Sequence, residues 1–159
     1  MNDLSRRRFV QGTGAAVAVG ALAGCTGNGN GNGGGGSDVP QAIDDHLSDA
    51  NNYEGSLEDM TGESEVTIDV GAGSNGLAFD PAAVRVSSST TVTWEWTGEG
   101  GAHNVASVEG SESDFSSGSS VEGGDNTYEQ SFDNTDNQLY VCEPHMANGM
   151  KGAIEVVEE

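Results

Sequence analysis

From Glu65 onward, apolar and polar residues alternate with period two, the pattern of strands that bury one face. Val66, Ile68 and Val70 interleave with Thr67 and Asp69, and Val84 and Val86 flank Arg85. Val92, Trp94 and Trp96 share a face opposite Thr91, Thr93 and Glu95. Further strands are predicted over 103–108, 127–132, 138–142 and 151–157, separated by clusters of Gly, Ser, Asn and Asp. The pattern predicts a small all-β sandwich with Phe79, Trp94, Trp96, Tyr128, Phe132 and Tyr140 in its core. The polar stretch 109–126 is long for a loop, has only Phe115 and Val121 as sizeable apolar anchors, and receives no element.

Before the strands, a period near 3.6 places Ile43, Leu47 and Ala50 along one face of a short helix. Pro40 stands near its first turn and Asn51-Asn52 breaks it. Its expected role is packing. His46, among Asp44, Asp45 and Asp49, reads as a surface histidine whose replacement by alanine changes nothing.

The N-terminus has a different character. Ser5-Arg6-Arg7-Arg8-Phe9-Val10 precedes an apolar run of small residues ending at Ala23, a twin-arginine export pattern. The run is short of the ~20 strongly apolar residues that a membrane-spanning helix needs. Leu22-Ala23-Gly24-Cys25 resembles a lipobox, where cleavage leaves the cysteine as a lipid-bearing N-terminus. Residues 26–37 are Thr, Ser, Gly and Asn only, a flexible tether with an r.m.s. span of roughly 20 Å. The expected organisation is a signal peptide over 1–24, an anchor cysteine and linker over 25–37, and one folded domain over 38–159.

Charge narrows the partners. The chain carries 26 acidic and five basic residues, a net charge of -21, and removal of 1–24 would take it to -23. Arg85 and Lys151 would be the remaining cations, too few to neutralise phosphates, so nucleic acid is excluded. So many carboxylates read as a hydrated surface suited to high salt. Near 1 M salt the Debye length is only ~3 Å, which removes long-range steering as the reason for them.

The chemistry concentrates in Tyr140-Val141-Cys142-Glu143-Pro144-His145-Met146-Ala147-Asn148-Gly149-Met150-Lys151-Gly152, between the last two predicted strands. A thiolate, an imidazole and a thioether within nine residues suit copper, and two histidines and a cysteine with a weak axial methionine make a blue-copper set. With His46 set aside, His103 is the histidine left to complete it. Met150 is preferred to Met146 because Met146 directly follows His145, whereas Gly149 lets the loop bend and return Met150. If lipid occupies Cys25, Cys142 has no disulfide partner, and metal ligation gives a lone exported cysteine its reason. The expected site is His103, Cys142, His145 and Met150 around one copper ion. With four protein ligands and no open position, the site favours electron transfer over catalysis.

Ala102-His103-Asn104-Val105, Tyr140–His145 and Gly149-Met150-Lys151-Gly152 together resemble the halocyanins, archaeal members of the blue-copper cupredoxin family that includes plastocyanin and amicyanin. The resemblance implies an eight-stranded Greek-key sandwich with copper near one end and electron passage through the exposed edge of His145. It implies that Pro144, Met146 and Ala147 surround that edge as a docking patch. It also implies that Asn104 ties the two ligand regions together by hydrogen bonds. The expected role is an electron carrier, monomeric and not an enzyme. It is held to the outer face of the membrane through Cys25 and exchanges electrons with membrane-bound redox proteins. The alternative is a copper carrier or buffer serving a membrane enzyme, distinguished by rapid loss of Cu(I). An oxidase or nitrite reductase fails on counting, because one spare histidine cannot build a second centre.

Overall fold

The computed structural model describes residues 38–159. The export pattern, Cys25 and the tether lie outside the described residues.

Two sheets face one another. The five-stranded sheet runs in the order β1 (Glu58–Asp59), β4 (Ala83–Ser87), β9 (Lys151–Val157), β8 (Asp136–Val141), β6 (Ala106–Ser107). The four-stranded sheet runs β3 (Ala78–Asp80), β2 (Glu65–Ala72), β5 (Thr91–Trp96), β7 (Thr127–Ser131). Val66, Ile68, Val70, Val92, Trp94 and Trp96 from the second sheet meet Val84, Val86, Tyr140, Ile154 and Val156 from the first in one core. Trp94 lies at its centre, edge-on to Tyr140 at 5.4 Å between ring centroids.

The helix α1 (Gln41–Leu47) covers the outer face of the five-stranded sheet, where Ile43 and Leu47 pack with Ala83, Leu139 and Ala153. Alanine at 83 and 153 leaves room for it. Covered on both faces, the middle of β9 reads as an apolar run, in contrast to the clean alternation of β2. His46 corrects the expectation made for it. It is half-buried, with its Nε2 3.0 Å from the carbonyl of Tyr140, so it fastens the helix to β8.

Among the described residues nine strands replace the expected eight, and β1 and β3 are too short to leave a periodic trace. The strand expected over 103–108 is reduced to β6: His103 instead bridges Val121 of the unassigned loop, and Ala106, besides pairing with β8 as part of β6, bridges Ser116 of that loop. That loop folds back as a strap. His103 and Val121 exchange backbone hydrogen bonds of 2.9 Å, and the Phe115 carbonyl accepts from Ser107 N–H. Phe115 is buried against Trp94, whereas Val121 is 39% exposed and contributes backbone pairing in place of an apolar anchor. Tyr128 is half-buried on Trp94, at the margin of the core.

Candidate metal centre

The ligand-bearing loop is shaped by its own backbone. After β8, Cys142 opens a 3₁₀ segment, Glu143–Asn148, with Pro144 at its start, where the absent N–H costs nothing. Gly149, at φ 84°, reverses the chain. Cys142 N–H then donates to the Met150 carbonyl at 3.0 Å, continuing the β8–β9 ladder, and Met150 N–H donates to the His145 carbonyl at 3.2 Å. The loop therefore closes on itself and returns Met150 beside Cys142. Met150 is fully buried, while Met146 is 48% exposed.

His103 arrives from the opposite side, on the segment between β5 and β6. Trp96 Nε1–H donates to its carbonyl, and its ring is fully buried. His103 Nε2 lies 2.6 Å from the Glu99 carbonyl, which can only accept, so Nε2 carries the proton and Nδ1 presents a lone pair. That lone pair points into a cluster. Nδ1 of His103 is 3.6 Å from Cys142 Sγ and 3.2 Å from Nδ1 of His145, which is itself 3.6 Å from Cys142 Sγ.

This geometry fits a metal ion. A point equidistant from the three atoms lies ~2.0 Å from each, the length of an imidazole–metal bond. Among the described residues this is the one cluster of three or more His, Cys, Asp or Glu side chains with such spacing. Burial holds His103 below the ordinary histidine pKa, against the contrary pull of the Glu99 carbonyl, and so keeps its ring neutral. Burial also pushes the Cys142 thiol up, opposed by the backbone N–H groups of Asn104 and His145. A cation at the cluster would outweigh that desolvation and hold the sulfur as thiolate.

The surroundings fix these groups. Asn104 Oδ1 accepts from Glu143 N–H at 2.9 Å, and its amide donates to the Glu143 carboxylate and the Gly118 carbonyl. It thus joins the His103 segment, the Cys142 loop and the strap. Pro144 is exposed beside the half-buried His145. Two contributors escape motif reasoning, namely the Glu99 carbonyl and Gly71. A Cβ on Gly71 would stand 2.7 Å from that carbonyl and 3.2 Å from His103 Nε2, so glycine permits the close approach. The only sequence trace of either is a glycine-rich turn.

The profile of a family described as copper binding proteins, plastocyanin/azurin family, matches residues 66–157. The chain belongs to that family. It is 55% identical to a halocyanin from Natronomonas pharaonis over 163 residues, 98% of this chain and 99% of the relative. It is 34% identical to a plastocyanin from Scenedesmus fuscus over 58% of this chain and 99% of that protein. The oxidised plastocyanin of Dryopteris crassirhizoma superimposes with a TM-score of 0.50 at 17% identity, covering 58% of this chain and all of that one. The fold is thus that of a blue-copper cupredoxin, and its cofactor is one type 1 copper ion.

Proposed function

We propose that His103, Cys142, His145 and Met150 hold the copper, and that the protein is an electron carrier, not an enzyme. The observation that carries this reading is the triangle of two Nδ1 atoms and one sulfur, with buried Met150 returned beside it by Gly149. When bound, the copper supplies a one-electron Cu(I)/Cu(II) couple. The protein's part is preorganisation. His103 is held by the Glu99 carbonyl, Cys142 by the β8–β9 ladder and His145 by the 3₁₀ turn, so little rearrangement opposes a change of oxidation state. The buried thioether and aromatic core keep water from the sulfur.

His145 is the half-buried member of the set, and its chain neighbours Pro144, Met146 and Ala147 are exposed. That small apolar patch suits brief docking, with electrons entering and leaving through the His145 ring. Residues 1–24 direct export, Cys25 carries lipid, and residues 26–37 tether a monomeric domain of residues 38–159 to the outer membrane face, where its partners are membrane-bound redox proteins. This rests on the arginine pair, the Leu22–Cys25 motif and the Gly/Asn tract.

Voltammetry of the copper-loaded protein combined with Cu(I) chelator competition tests the function. The expected result is a reversible one-electron wave with copper retained against a modest chelator. Rapid Cu(I) loss without a reversible wave would instead identify a copper carrier. Flotation with lipid vesicles, lost in Cys25→Ser, tests the anchor.

A further inference from the structure

The segment just after α1 lies outside the family-matched residues 66–157, yet it grips the ligand loop. Asn51 N–H donates to the Gly149 carbonyl at 2.8 Å. The Asn51 side-chain amide uses both hydrogens, one on the Asn148 carbonyl at 2.8 Å and one on the Leu77 carbonyl at 2.7 Å. Leu77 follows Gly76, whose backbone rests directly on Gly100; a Cβ on either would fall within the other's backbone. Gly100 in turn follows Glu99, whose carbonyl holds His103. One half-buried side chain therefore joins the turn before Met150 to the Leu77 loop, which in turn rests on the segment leading to His103.

We propose that Asn51 is a positioning residue for the copper centre, a strut joining the Asn148–Met150 turn to the Leu77 loop and through it to the His103 segment. The proposal rests on the ligand assignment above. Its chemistry is simple. The Asn148 and Leu77 carbonyls belong to different loops, and a carboxamide NH₂ is a flat two-pronged donor that satisfies both at a fixed separation. Without it each carbonyl turns to water, the Gly149 reversal loosens, and Met150 is held by fewer constraints. A Met150 thioether held less firmly toward the copper would stabilise Cu(II) less than Cu(I), so the potential would rise.

The test uses the full chain loaded with copper, comparing Asn51→Ala with Asn52→Ala. Asn52 makes its own hydrogen bonds to the Phe79 carbonyl and Asp80 and sits at positive φ, so its loss costs stability without touching the loop. The expected result is a blue band in both variants. In Asn51→Ala the equilibrium constant for reduction rises threefold or more and the copper hyperfine pattern in paramagnetic resonance changes; Asn52→Ala keeps wild-type values. If Asn51→Ala does not fold, Asn51→Ser, which can serve one carbonyl but not two, carries the same comparison. A wild-type potential and spectrum in the Asn51 variant, with stability lost as in Asn52→Ala, overturns the proposal and leaves Asn51 structural. Absence of a blue band in the wild type overturns the ligand assignment itself, and the strut with it.

Discussion

Replacing Gly149 with alanine separates two costs that meet at the turn before Met150. The first is backbone conformation. At φ 84°, an L-residue pays about 1–2 kcal/mol for the left-handed region. The second is space. An added Cβ would lie 2.6 Å from the Asp49 carbonyl and 3.3 Å from Asn51 Oδ1. The carbonyl belongs to the backbone after α1 and cannot swing aside, so overpacking adds about 1–3 kcal/mol. Gly62 provides the control, because it has φ 87° and nothing within 4 Å of an added Cβ. Gly62→Ala should cost the backbone part alone. Gly149→Ala should cost about 3 kcal/mol, a fall in Tm of roughly 12 °C for a domain of this size. Urea unfolding of the copper-free variants gives both values, and voltammetry of the loaded Gly149 variant should show a shifted potential that Gly62→Ala lacks. Equal destabilisation by the two substitutions would refute the contact between the ligand loop and the segment after α1.

Burial lowers the His46 pKa despite the Tyr140 carbonyl, so the folded state prefers the neutral ring while the unfolded chain titrates near 6.5. The unfolded chain binds more protons below that pH, so this contribution to stability is present above 6.5 and is lost as pH falls. Urea unfolding of copper-free protein from pH 8 to 5 should show a shallower decline in His46→Gln than in the wild type; parallel curves would contradict the burial argument. Met150→Gln should keep copper but lower its potential, because a harder oxygen donor favours Cu(II), while exposed Met146→Leu should leave the potential unchanged; equal shifts would move the axial role away from Met150. Gly152→Ala drives a Cβ against the hydroxyl edge of the Tyr140 ring, which packs on Phe79 and Trp94, and should cost about 1–3 kcal/mol in chemical denaturation.

The strands with one wet face were legible because their alternation is enforced by water. Val66, Ile68 and Val70 against Thr67 and Asp69 is such a case, and β2 follows it. The helix was legible from Ile43 and Leu47, but its consequence for His46 was not, since the Tyr140 carbonyl it meets lies 94 residues away. The strap over 109–126 left no pattern because backbone pairing with the 103–107 segment holds it, and polar side chains do not reveal that. The same limit applies at the centre. The spacing of Cys142, His145 and Met150 within one loop is written in the sequence, and His103 follows from the small number of histidines. The Glu99 carbonyl lies on the same turn as His103, four residues before it, while the Gly71 approach and the Asn51 side-chain amide meet backbone of distant loops, and beyond a glycine-rich turn no pattern marks them.

The most direct measurement is the absorption spectrum recorded as Cu(II) is added to the folded copper-free protein. An intense blue thiolate charge-transfer band should appear, saturate at one copper per chain, bleach on one-electron reduction and be missing from Cys142→Ser. A folded wild-type protein that binds Cu(II) without that band, or a Cys142→Ser variant that retains it, would contradict the assignment of His103, Cys142, His145 and Met150 as a single blue-copper site.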